Sequence, residues 1–93
     1  MDINDGQTLN YFLQWARGDI VEYILTLCLT GATLDDFLDW MSLSSPIILQ
    51  KYLFYLIEYD FILYNGQKQV YVIKDRGLEV LSAILEDKSI QMH

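Results

Sequence analysis

The sequence predicts a mainly α, α+β domain in which several helices accompany one two-stranded β-hairpin. Three observations carry that prediction. Apolar residues recur at helical spacing through most of the chain, and the period falls to two only around Asn65-Gly66, whose residues both tolerate positive φ and so form a strong hairpin signal. Helix-opening residues also stand before each apolar stripe, at Thr8, Asp19, Thr33, Ser45 and Asp75.

The elements follow in order. After Thr8, Leu9, Phe12, Leu13 and Ala16 recur at helical spacing, and Gly18 can take the left-handed conformation that closes a helix. Asp19 and Glu22 have the residue types of a capping box, opening a second helix with Ile20, Ile24, Leu27 and Cys28 inward and an end near Thr30-Gly31. Thr33 and Asp36 repeat the pattern for a third, with Leu34, Phe37, Leu38 and Met41 inward. Its acids, Asp35, Asp36 and Asp39, face outward and suit the positive end of the helix dipole. The polar stretch from Ser42 to Ser45 reads as a turn; Ser45 caps the next helix and Pro46 takes its first position, where no amide is needed.

In that helix Leu49, Leu53, Leu56 and Ile57 face inward with Tyr52 at their flank, while Ile47, Gln50, Lys51, Phe54 and Glu58 fall on the opposite side. Two helices joined by a short turn form a helix-turn-helix unit. A two-residue hairpin turn at Asn65-Gly66 pairs Tyr64 with Gln67 and Ile62 with Gln69. Ile62, Tyr64, Tyr71 and Ile73 then share one face, and Phe61, Leu63, Val70 and Val72 the other. Asp75 caps a final helix bearing Leu78, Leu81, Ala83, Ile84 and Leu85, and periodicity is lost from Asp87 onward.

With 93 residues, 53% of them hydrophobic and 14% aromatic, the chain is one domain's worth and can bury a single core. Its apolar runs are broken well before the roughly 18 to 20 residues that cross a bilayer, and no basic leader precedes an apolar stretch, so a soluble cytoplasmic protein is expected. The single Cys28, on an apolar stripe, reads as buried packing. One cysteine and one terminal His93 exclude a multi-cysteine metal site and a Ser-His-Asp triad, and no Gly-rich phosphate loop is present; no enzyme activity and no cofactor are expected.

The net charge of −7 opposes binding to a polyanion, yet it is unevenly spread. Between Trp40 and Arg76 four bases (Lys51, Lys68, Lys74, Arg76) face three acids (Glu58, Asp60, Asp75), a net +1; elsewhere Arg17 and Lys88 face ten acids, a net −8. Such a chain can present a neutral or mildly basic face with an acidic back.

Three stretches carry a family resemblance: "TGATLDDFLDWMSLS" from Thr30, "LQKYLFYLIEYDFI" from Leu49 to Ile62, and "YVIKDRGLEVL" from Tyr71 to Leu81. Together they resemble the archaeal winged helix-turn-helix DNA-binding family of small transcription-regulator-like proteins, over about Asp19 to Leu85. Three departures stand out. Asp60 occupies a place where the family commonly has Gly, Lys74 one where it commonly has Thr, and the outer side of helix 46–59 is short of bases.

The resemblance implies a winged helix-turn-helix domain, bounded at 19–87; periodicity adds a helical extension over 1–18, outside the part that resembles the family, and a frayed tail over 88–93. The resemblance also implies a transcriptional regulator that places helix 46–59 in the major groove of double-stranded DNA with the hairpin wing alongside. The residues placed for this are Ser44 and Ser45 at the helix N-terminus, Ile47, Gln50, Lys51 and Phe54 on its outer face, Gln67 and Lys68 at the wing tip, and Arg76. Each has a plainer reading: a solvated helix face, an ordinary polar turn, or an Arg76–Glu79 pair. Asp35, Asp36 and Asp39 read as a solvated face rather than a metal cluster. Surplus aromatics suggest a homodimer through Tyr11, Phe12 and Trp15 with Leu81, Ile84 and Leu85. The alternative function is a non-catalytic protein-interaction module, or an acidic DNA mimic, on the same scaffold, with Ile47, Phe54 and the outer hairpin face binding a protein.

Overall fold

A computed structural model describes residues 14, 16–40 and 46–91. Among them are four helices and one antiparallel hairpin: α1 (Gly18–Cys28), α2 (Leu34–Trp40), α3 (Pro46–Glu58), β1 (Ile62–Asn65), β2 (Val70–Ile73) and α4 (Asp75–Gln91). The class is mixed α+β. Of the expected first helix only Gln14, Ala16 and Arg17 are described: Gln14 is helical, but Ala16 and Arg17, expected within the helix, are not. Tyr11, Phe12 and Trp15 lie outside the described residues, as do Met41, Ser44 and Ser45.

The start of α1 differs from expectation. Gly18 does not close a preceding helix and Asp19 is not the cap; α1 begins at Gly18 with Arg17 at the N-cap in an extended conformation (φ −87°, ψ 129°). The reason is a long-range bond. The Arg17 amide donates to the Tyr52 hydroxyl on α3 at 2.8 Å, which anchors the chain there, and the Arg17 carbonyl then accepts from Ile20 and Val21 at 3.1 Å. Asp19, inside the first turn, accepts from the Ile20 amide and pairs with the Arg17 guanidinium at 2.7 Å.

The α2 capping box forms as the sequence predicts: the Asp36 amide donates to the Thr33 hydroxyl oxygen at 3.2 Å and the Thr33 amide to the Asp36 carboxylate at 2.9 Å. Phe37 is buried and Leu38 half-buried, but Leu34, expected inward, is 41% exposed. It is the first residue of the helix, a turn before the face that meets the core. On α3, Leu49, Tyr52, Leu53 and Leu56 are buried. Tyr52 completes the stripe on one flank, which rotates the expected Ile57 out to solvent.

The hairpin pairs Ile62 with Ile73, Leu63 with Val72, Tyr64 with Tyr71 and Asn65 with Val70, so the turn has four residues instead of two. The Asn65 side chain explains this: its carbonyl oxygen accepts from the amides of Gln67 (3.0 Å) and Lys68 (3.1 Å), and Gln69 takes the left-handed step at φ 56°. The register differs from the expected one by an even number of residues, so the face assignments survive. On the other side of β2, Ala32 exchanges two backbone bonds with Tyr71 (2.9 and 2.7 Å), tying the α1–α2 connection to the sheet.

α4 begins at Asp75, with the Leu78 amide bonded to the Lys74 carbonyl, so Asp75 lies in the first turn rather than capping it. The helix continues to Gln91, through most of the expected frayed tail. Past Asp87 the apolar stripe ends, but Lys and Gln retain helical propensity. Leu81, expected at a dimer interface, is only 5% exposed; it is the α4 residue that closes the core over α1, and Ile84 packs half-buried beside it.

At the junction of α3, β1 and α4, the Phe61 amide donates to the Leu56 carbonyl and its own carbonyl accepts from the Lys74 amide, both at 2.9 Å. Asp60, just before it, is left-handed at φ 69°, a conformation that Asp tolerates better than most residues but that Gly adopts freely. Its carboxylate pairs with the Lys74 ammonium at 2.5 Å, which ties the start of β1 to the end of β2.

Gly77 is required here because a Cβ at that position would fall on the Phe61 carbonyl oxygen, a backbone atom with no freedom to move aside. Gly77→Ala should therefore destabilise the fold by about 2 kcal/mol or more, read as a drop in melting temperature. Cys28 is fully buried on α1, and burial pushes its thiol up to about 12 from 9.0. The folded state thus holds its proton where the unfolded chain releases it, so the Cys28 contribution is intact below about pH 9 and should be lost progressively as pH rises toward 12. Thermal melts from pH 8 upward, compared with Cys28→Ala, measure this slope; the variant should show less of it.

Candidate functional site

The core claims one side of α3 and leaves the other to solvent. Ile47 is 75% exposed and Phe54 58%, with Gln50, Lys51 and Glu58 exposed between and beyond them. Spacings of three and four place Ile47, Lys51, Phe54 and Glu58 along one ridge opposite Leu49 and Leu56. The sequence-predicted set on this helix is therefore brought together. The ridge carries one cation and one anion together with two well-exposed apolar side chains, Ile47 and Phe54.

Phe54 is also the outer end of an aromatic row that the sequence reading did not single out. Its ring meets Tyr55 edge-on at 5.3 Å, Tyr55 stacks with Tyr59 at 6.2 Å, and Tyr59 lies 6.1 Å from Phe61. Arg76, expected to pair with Glu79, instead lays its guanidinium over the Phe61 ring, 5.3 Å from the centroid. The row thus links the α3 ridge to the first turn of α4. Its signal in the sequence was the i, i+4 spacing of Tyr55 and Tyr59 next to Phe61; Arg76 sits over the last ring because Gly77 lets α4 approach β1 so closely.

Gln67 and Lys68 are exposed on the four-residue turn that follows β1. Lys74, also in the basic half of the sequence, is engaged with Asp60. The exposed bases of this region are accordingly Lys51, Lys68 and Arg76. Of the expected dimer set, Leu85 is exposed on α4, whereas Leu81 is core.

Asp35, Asp36 and Asp39 are exposed, Asp36 is occupied by its capping box, and no group of side chains among the described residues could hold a metal ion. Among the same residues no helix is long and apolar enough to cross a membrane. No family model matches the chain, and neither a curated protein nor a solved structure matches it.

Proposed function

We propose that the chain is a winged helix-turn-helix protein that binds double-stranded DNA as a homodimer, with α3 in the major groove and the Gly66–Gln69 turn as the tip of the wing. The observation that carries this reading is the solvent-exposed outer side of α3, a thirteen-residue helix with Gln50 and Lys51 at its centre, followed directly by a hairpin whose tip bears Gln67 and Lys68. Gln50 has donor and acceptor groups for a base edge, and the apolar Ile47 and Phe54 fit thymine methyl groups. Lys51, Lys68 and Arg76 supply phosphate contacts. Three such contacts give a salt dependence of about −2.7 in log K per log salt, and a dimer about twice that.

A second reading is favoured by the exposure of Ile47 and Phe54. An apolar ridge with an exposed aromatic is the kind of surface that anchors a protein partner. The two readings reverse the order of two substitutions. For DNA, Lys51→Glu should weaken binding to every duplex and flatten the salt slope by about one unit, while Phe54→Ala matters less. For a protein partner, Phe54→Ala should cost about 2 kcal/mol or more and Lys51→Glu little. A gel-shift series over salt on both variants, with melting curves to check the fold, separates them. Sedimentation at micromolar concentration should give twice 10.9 kDa; a mass of 10.9 kDa would remove the homodimer from the proposal.

A further inference from the structure

Beside the wing, the start of α2 and one face of the hairpin enclose an open cleft of about 340 Å³. This is the lower end of the volume range for small-molecule sites. Thr33 and Asp35 line it from α2, Tyr64 and Tyr71 from the strands, and Lys68 and Gln69 from the turn. The two tyrosine rings lie 4.7 Å apart, and Tyr71 is braced from behind by Phe37 at 5.7 Å, which fixes an aromatic wall.

The charges around this wall are unused. Among the described residues neither the Asp35 carboxylate nor the Lys68 ammonium forms an ion pair or a side-chain hydrogen bond. One comes from α2 and the other from the turn, so an anion and a cation on separate elements line the cleft together with an aromatic surface. The backbone holds this arrangement. The Ala32–Tyr71 bridge fixes the start of α2 against β2, and the Asn65 side chain fixes the turn that carries Lys68.

The geometry points to a binding site for a free α-amino acid with an aromatic side chain: its carboxylate meets Lys68, its ammonium meets Asp35, and its ring packs on Tyr64 and Tyr71. A ligand with one charge satisfies only one rim. Because Lys68 is also the wing-tip base, an occupied cleft withdraws a phosphate contact. The amino acid therefore acts as an effector that weakens DNA binding, a coupling that rests on the proposed function, whereas the site itself does not. By linkage, DNA should weaken the amino acid to the same degree.

The test uses the full chain and L-phenylalanine, with benzoate and phenethylamine as ligands carrying only one of the two charges. Amide NMR spectra to about 10 mM ligand should show saturable shifts at residues 33–35, 64 and 68–71, with both controls much weaker. Asp35→Asn and Lys68→Gln should each weaken L-phenylalanine about three- to fivefold. Both positions are exposed, so the fold is preserved. Absence of saturable shifts, equal shifts with benzoate or phenethylamine, or parental affinity in both variants would overturn the site. DNA affinity with and without L-phenylalanine is measured separately. Saturable binding in a protein with no DNA affinity upholds the cleft while removing the DNA reading; unchanged DNA affinity at saturating ligand overturns the effector role alone.

Discussion

The carbonyl of Phe61 is the point on which the arrangement of α3, the hairpin and α4 depends. It accepts from Lys74 to start the β1–β2 ladder, and it lies so close to Gly77 that only a residue without Cβ fits. The Phe61 amide is meanwhile bonded to the last turn of α3, and the Phe61 ring carries Arg76 on one side and neighbours Tyr59 on the other. Three elements are thus referred to one residue. The left-handed Asp60 makes the sharp turn from α3 into β1 possible, and its ion pair with Lys74 crosses from one strand end to the other. An exposed pair is weak in isolation, about 0 to 1 kcal/mol, so the backbone bonds and close packing hold the junction and the pair only supplements them.

Several local features were legible in the sequence. The Thr33–Asp36 box, Pro46 at the first position of α3, the stripe of Leu49, Leu53 and Leu56, and the exposure of Ile47, Gln50, Lys51 and Phe54 all follow from spacing alone. What could not be read there depends on a distant partner or on which of two local arrangements wins. The start of α1 is set by a hydroxyl 35 residues away on Tyr52, and the hairpin turn by an Asn65 side chain that competes with the tighter turn its own dipeptide favours. Leu81 is apolar in any reading; only its packing partners decide whether it closes a core or meets another chain. Likewise, the aromatic row became visible only when Phe61 and Arg76 were brought beside α3.

The candidate surface shows how charge and shape compete on one helix. Its bases are few because Lys74 is held by Asp60 and Arg76 rests on a ring, so neither is a fully extended, solvent-borne cation. Arg76 is not withdrawn by this, since stacking leaves the guanidinium edge and its donors available to an oxygen acceptor. The ridge itself is shaped by burial on the other side of α3: once Tyr52 completes the inward stripe, the apolar residues in excess of it, Ile47, Phe54 and Ile57, have nowhere else to go. An amphipathic helix with more apolar residues than its core can accept gains binding surface as a by-product.

The acidic balance limits this surface less than the figure of −7 suggests, because distance and screening decide which acids matter. The described molecule extends about 37 × 37 × 26 Å, and at physiological ionic strength exposed charges more than about 8 Å apart are largely screened from one another. An anionic partner at the α3 ridge therefore responds chiefly to Lys51, Glu58 and whatever lies within that radius, while acids farther away act only in dilute salt. At about 0.01 M the screening length grows to about 30 Å, comparable with the whole molecule, and every acid is then felt at the ridge. Counterion release and whole-molecule repulsion consequently act in opposite directions as salt is lowered. Such repulsion lessens the salt dependence that counterion release gives to the proposed phosphate contacts, and a shape-based contact through Ile47 and Phe54 is affected least by either.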